Sequence, residues 1–189
     1  MFIAILTFSV IILFILVVIV FTKQSKFGSL PKEETIRLSS NYKDGKFQNQ
    51  SLTPDLTEGA SYISVLKEFL LEKKVRQKPS QPLPNKKTNL FDLLPDENVL
   101  VWMGHSSYFM QIDGKKILVD PVLSGAASPI SFTTRSFAGT DVYTTNEIPE
   151  IDFLFISHDH WDHLDHSTIK KLQPKIKSIF TGLGTGQHF

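Results

Sequence analysis

The stretch Ile151-Asp152-Phe153-Leu154-Phe155-Ile156-Ser157-His158-Asp159-His160-Trp161-Asp162-His163-Leu164-Asp165-His166 decides the fold. It opens on an apolar run, Ile151–Ile156, of the kind that a strand covered on both faces requires. It then passes through a turn dense in histidine and aspartate. A helix is expected over Asp165–Leu172, stopped by Pro174, and Ile176–Phe180 reads as the next strand. Strand, loop, helix and strand make one αβ layer unit.

Four of the six histidines lie within the nine residues His158–His166, three of them in the spacing H-x-H-x-D-H. His158 and His160, two apart in extended chain, project to the same side and can reach one ion. Asp162 and His163, where the chain turns into the helix, can approach a neighbouring one. The chain has no cysteine, so a disulfide framework, a thiolate metal site and a cysteine nucleophile are all excluded. Imidazole and carboxylate without thiolate suit zinc first, with manganese and iron as alternatives. The rival readings are a cluster of solvated histidines and a structural zinc site, although structural sites are usually closed and rich in cysteine. Asp162 is carried as the candidate catalytic residue as well as a ligand.

Working upstream, Val99–Met103 is a short apolar run, and Tyr108–Ile112 and Lys116–Val119 flank Asp113-Gly114-Lys115. Asp-Gly between two strand-like runs is a strong hairpin signal. The chain then enters an irregular stretch, Val122–Pro149, through Asp120-Pro121. His105 either faces the metal pocket or caps the turn after the first strand. Asp165 either accepts a proton from a ligand histidine or caps the helix that follows it. His166 reads as a solvated helix residue and Trp161 as a packing residue beside the metal loop.

Here the residues reach a family. Trp102-Met103-Gly104-His105-Ser106-Ser107, Ile117-Leu118-Val119-Asp120-Pro121 and Ser157–Asp165 together resemble the metallo-β-lactamase fold. Within it they resemble the branch containing the phospholipase D that hydrolyses N-acylphosphatidylethanolamine and the ascorbate-phosphate lactonase-like proteins. The resemblance covers Asn98–Phe189. It implies an α/β hydrolase, an αββα sandwich with two zinc ions per complete domain. His158 and His160 would bind the first ion, Asp162 and His163 the second, and Asp120 would lie beneath the site as a supporting carboxylate. The family also draws a His, a bridging Asp and a last His from its second half, and only His188 follows His166 here. The expectation is therefore a sandwich truncated to its first half and inactive alone. The glycine series Gly182, Gly184, Gly186 lacks the lysine of a phosphate-binding loop.

At the other end, Met1–Phe21 is apolar except for Thr7 and Ser9, with no charged side chain before Lys23. Such a helix covers about 30 Å, the thickness of a bilayer's hydrocarbon core. A cleaved signal peptide is the competing reading, but no basic residue precedes the run and no small-x-small pattern follows it. Lys23, Lys26, Lys32 and Arg37 all lie on its C-terminal side, which places the body in the cytoplasm, on a single-pass anchor in the cell membrane. With 19 acidic and 20 basic residues, bulk charge gives no case for a nucleic-acid partner.

Between anchor and domain, Lys23 to about Gly59 reads as a tether. Tyr62, Val65, Leu66, Phe69 and Leu70 then form an apolar stripe, with Lys67, Glu68, Lys73 and Lys74 off it. This predicts a helix of roughly four turns that packs on the main domain, with a surface-lying helix as the alternative. Pro79, Pro82 and Pro84 make a stiff connector. The organisation expected is an anchor over 1–22, a tether, helix and connector over 23–95, and the hydrolase half-domain over 96–189. Its substrate would be a phospholipid or a small ester. The function expected is a zinc phosphodiesterase, with a lactonase and a non-catalytic membrane-tethered fragment as alternatives.

Overall fold

The computed structural model describes residues 2–72 and 75–189. Met1, read as the start of the span, and Lys73 and Lys74, read as flanking the apolar stripe, lie outside the described residues. Helix α1 runs Phe2–Thr22, and none of Ile5–Thr22 is buried in the protein. It is long and apolar enough to cross a membrane by length and composition. The Thr7 hydroxyl donates 2.9 Å back to the Ile3 carbonyl, which satisfies a polar group that lipid would not.

A one-turn helix α2 (Glu33–Ile36) and a two-residue hairpin, β1 (Tyr42–Lys43) with β2 (Lys46–Phe47), follow. Helix α3 spans Tyr62–Leu71, about three turns rather than the four expected. Its N-terminus carries a reciprocal cap between Ser61 and Ser64. Its apolar stripe does not pack on the main domain: Tyr62, Val65, Leu66 and Leu70 are all exposed. The stripe is real, but amphipathic spacing fixes only which side of a helix is apolar and does not dictate the surface that side meets.

That sheet holds five strands in the order β3 (Val99–Gly104), β4 (Ser107–Ile112), β5 (Lys115–Val119), β6 (Ile151–Ile156) and β7 (Ile176–Thr181). The first three form an antiparallel meander, and β6 and β7 run parallel to β5. The β4–β5 turn is the Asp-Gly hairpin foreseen: Ile112 pairs with Lys115, and Asp113 and Gly114 both have positive φ, at 47° and 72°. Two central residues of positive φ match the twist of the flanking strands, which is why this dipeptide serves there.

Helix α4 (His166–Leu172) is the crossover from β6 to β7, and Pro174 falls in the turn that ends it. It buries Ile169 and Leu172 against Phe109, Leu118, Leu154 and Ile156 on one face of the sheet. The other face is largely uncovered. Leu100, Trp102, Phe155 and Phe180 are exposed there, and the rings of Phe155 and Phe180 stack 5.0 Å apart. Past its first residue, Ile151, which is also buried, strand β6 is buried on one face only, through Leu154 and Ile156. The expectation of a strand covered on both faces does not hold within these residues: a residue alternation of two carries Phe153 and Phe155 to the open side.

Candidate metal centre

The site forms at one end of the sheet, where the parallel strands finish. Strands β5 and β6 are in register, Val119 opposite Phe155, so Asp120 and Ser157 emerge side by side from their C-terminal ends. Crevices outside the carboxyl ends of parallel strands are the usual ligand sites of such sheets. Because β4 runs antiparallel to β5, with Tyr108 opposite Val119, the β3–β4 turn arrives at the same end and carries His105.

Asp120 is buried and organises the loop. Its Oδ1 accepts the Ser157 backbone N–H at 2.8 Å, and its Oδ2 accepts the Ser157 hydroxyl at 2.6 Å. The same Oδ2 lies 2.8 Å from Nδ1 of His163. The backbone of Asp120 is held too, its carbonyl by the Ser107 hydroxyl at 2.6 Å and its N–H by Phe155 O at 3.0 Å. With one ring nitrogen of His163 on a carboxylate, the other is directed outward, the arrangement that fixes imidazole tautomer and orientation in metal centres.

Outward from His163 stand Asp162 and His105. His105 Nε2 lies 2.9 Å from Asp162 Oδ2, and His163 Nε2 lies 3.7 Å from the same oxygen. Among the described residues, His105, Asp162 and His163 bring one donor atom each within 4.8 Å of one another. Partial burial would raise the Asp162 carboxyl. Its own backbone N–H, the charge of His163 and the hydrogen bond from His105 outweigh that and hold it below the ordinary carboxylate value.

His105 and Asp120 share an unusual backbone, with φ of 43° and 42°. Left-handed conformations in residues other than glycine persist when the surroundings over-determine them, and such residues concentrate at functional sites. Here the indole Nε1–H of Trp102 donates 2.9 Å to the His105 carbonyl and holds that turn.

His158 and His160 join the same patch. The rings of His158 and His163 lie 3.9 Å apart, and those of His158 and His160 are 4.6 Å apart, edge to face. His158 Nδ1 is 2.9 Å from the Ser157 hydroxyl. The tight three-donor group therefore recruits His105, which sequence spacing left between two roles, while His158 and His160 flank it. Asp165 takes the capping alternative: it accepts from Thr168 N at 3.2 Å, Thr168 Oγ1 at 2.6 Å and Ser124 N at 2.9 Å. His166 is half-buried rather than solvated, and burial, then Lys170 and His188, lower its pKa. Trp161 packs edge-on against Phe27, 5.4 Å between ring centroids.

Two residues at the site lie within the stretches that resemble the family but have no role assigned from sequence. Ser157 ties Asp120 to both His158 and His163, and Ser107 pins the Asp120 carbonyl. Hydroxyls are too common for one beside a motif to stand out. A cavity of ≈ 430 Å³ opens beside the cluster, with Trp102, Met103, Val122 and Phe137 among its apolar walls and His105 and Asp162 on its lining.

Comparison with known proteins supplies the family. Residues 99–188 match the model of the beta-lactamase superfamily domain. An uncharacterised protein of Mycobacterium tuberculosis is 30% identical over 151 residues, 79% of this chain and 41% of that protein. The N-acyl-phosphatidylethanolamine-hydrolyzing phospholipase D 1 of Caenorhabditis elegans is 33% identical over 123 residues, 54% of this chain and 33% of that one. A UPF0173 metal-dependent hydrolase of Caldivirga maquilingensis is 32% identical over 83 residues, 43% and 31% of the two chains. A solved structure, that of a diiron β-hydroxylase from Streptomyces venezuelae, is 30% identical with a TM-score of 0.34, covering 46% of this chain and 15% of that one. The chain spans about two fifths or less of the length of these curated relatives. With its mixed sheet, its histidine-rich turn and metal-dependent hydrolases among its relatives, the chain carries a β-lactamase superfamily domain over residues 99–188.

Proposed function

We propose that this domain is the metal-binding part of a membrane-anchored hydrolase that cleaves a phosphodiester in an N-acylated phospholipid. The observation that carries the reading is the placement of His105 and Asp162 on the lining of an apolar cavity. A reacting group beside those two residues would have a lipid-compatible wall next to it. The hydrolysed substrate of the Caenorhabditis elegans relative supports the choice of phospholipid. A lactone ester remains the alternative within the same chemistry.

The donor set fits a divalent ion: two imidazoles and a carboxylate, with Asp120 already orienting one imidazole. Zinc is the proposed metal. Bound there, it would supply Lewis acidity toward a phosphoryl oxygen and a nucleophile from water near neutral pH. His105, Asp162 and His163 would hold one ion, with His158 and His160 placed to serve a second. The rest of the chemistry falls to the protein. Asp120 and Ser157 keep the imidazoles oriented, and Trp102 and Phe137 give the cavity an apolar wall.

Anchoring is part of the proposal. Helix α1 would span the cell membrane once, with the body on the cytoplasmic side, as the basic residues after Thr22 favour. The test is twofold. Membranes carrying the chain should retain it through carbonate extraction, and the body should resist protease added outside spheroplasts. With zinc supplied, the protein carrying this domain at the length of its relatives should release N-acylethanolamine from N-acyl phosphatidylethanolamine and lose that activity to a chelator. The 189 residues alone are expected to turn over little, because only His158 and His160 are left for a second ion where a catalytic zinc normally takes three ligands from protein. Faster turnover of a small lactone than of the phospholipid would replace the phosphodiesterase with the lactonase.

A further inference from the structure

The irregular stretch after Asp120 contains a small closed loop. Ala126 and Arg135 pair as an antiparallel bridge, and Ala127 N donates 3.0 Å to Thr134 O. Its tip, residues 128–133, is braced internally: Thr133 Oγ1 bonds Ser128 Oγ at 2.7 Å, and Thr133 N donates 2.9 Å to Ile130 O. On this braced tip Ile130 is 40% exposed and Phe132 78% exposed.

The tip is fastened to the base of α1. Lys26, four residues past the end of the helix, donates from Nζ to the Pro129 carbonyl at 2.8 Å. The same ammonium lies 4.4 Å from the centroid of the Phe21 ring, in the last turn of α1. Part of the stretch expected to be a tether therefore lies against the domain. Phe27 bridges Phe21 and Trp161 by edge contacts of 5.2 and 5.4 Å, and Ser29 Oγ is 3.1 Å from Gln187 Oε1. Gly28 admits no side chain, since at φ 65° its Cβ would stand 2.7 Å from the His188 ring.

We propose that the Ile130–Phe132 tip enters the headgroup layer of the membrane that holds α1, so that the cavity beside His105 and Asp162 is entered from the lipid side. The inference rests on reading α1 as a membrane span. The end of an apolar span lies at the interface, and a side chain held against Phe21 and Pro129 puts both at that level. Exposed Phe and Ile beside a lysine are the residues that partition into this layer. The stem of the same loop, Ala126, Ala127, Thr134 and Arg135, lines the cavity, so the tip and the cavity wall are one piece of chain.

The absence of cysteine allows one label to be placed at will. Ser131→Cys in the full chain, carrying a nitroxide, leaves Ile130 and Phe132 in place. After reconstitution into phosphatidylcholine vesicles, the label should be relaxed by oxygen several-fold more than by an aqueous nickel chelate. Thr57→Cys, an exposed position well removed in the sequence, should show the reverse. Adding Ile130→Asp and Phe132→Asp should invert the ratio at Ser131→Cys while the protein still resists carbonate extraction. A carbonate-resistant protein whose tip label favours the nickel chelate overturns the proposal and leaves the span intact. A label shielded from both agents means that protein covers the tip, which also overturns it. A protein extracted by carbonate overturns the span and the proposal together.

Discussion

Asp120 and His163, 43 residues apart, are joined by a 2.8 Å contact between Oδ2 and Nδ1, and this pair is the hinge of the candidate site. Asp120 reaches its position because β5 and β6 end in register, and it is buried to 3% exposure beneath the motif. Asp120→Asn keeps the volume and tolerates the left-handed backbone but gives up the carboxylate. Metal affinity of the full chain, measured in detergent by competition with a chromophoric chelator, should fall about 10- to 100-fold, the usual cost of losing such a partner. Unchanged affinity would reduce Asp120 to a packing residue.

His105 is expected to behave as a ligand. His105→Ala and Asp162→Ala should each lower zinc occupancy after dialysis by a comparable amount, and His166→Ala should leave it unaltered. Metal analysis of the four proteins, wild type included, checks this. Equal occupancy in His105→Ala and wild type would leave the turn-capping role as the account of His105.

Asp165 is expected to matter for stability and not for metal. It caps α4 and also accepts from Ser124, so one carboxylate joins the helix to the loop after Asp120. Asp165→Ala should cost about 2 kcal/mol, a lost cap together with buried donors left unpaired. Thermal unfolding of the full chain in detergent would record it, with zinc stoichiometry unchanged.

Asp152 makes the sheet sensitive to acid. Its carboxyl is held below the ordinary value, first by the Lys116 backbone N–H at 2.9 Å and then by the Lys177 ammonium at 2.9 Å. A carboxyl with a depressed folded pKa contributes stability above its unfolded value, and that contribution is lost as pH falls through the folded one. Asp152→Asn should therefore unfold at a lower temperature than wild type at neutral pH, and the two should converge below about pH 4. A constant gap across that range would assign the effect to shape alone.

Features that depend on neighbours in the chain were legible before any coordinate. The Asp-Gly hairpin, the strands β3 to β7, the stop of α4 at Pro174 and the apolar length of α1 all follow from residues a few positions apart. The same holds for the H-x-H-x-D-H turn, since a short loop after a strand brings its own side chains together whatever surrounds it. Amphipathic spacing also located α3, but spacing reports a face and says nothing of which surface covers it, and that face is exposed here.

What the sequence by itself determined is the inventory: an apolar helix, a mixed α/β domain and a histidine-aspartate cluster with no thiolate competitor. Only the tertiary structure decided the composition of the tight donor group. His105 stands 57 residues before Asp162, and it meets that residue because β4 runs antiparallel to β5 and parallel pairing then sets β6 beside it. It also decided where the segment after α1 lies. Lys26 meets Pro129 across 103 residues, through a carbonyl that every residue possesses. Contacts of this kind leave no trace in residue identity, because strand register and backbone hydrogen bonds are set by the fold as a whole and any side chain will do at the accepting end.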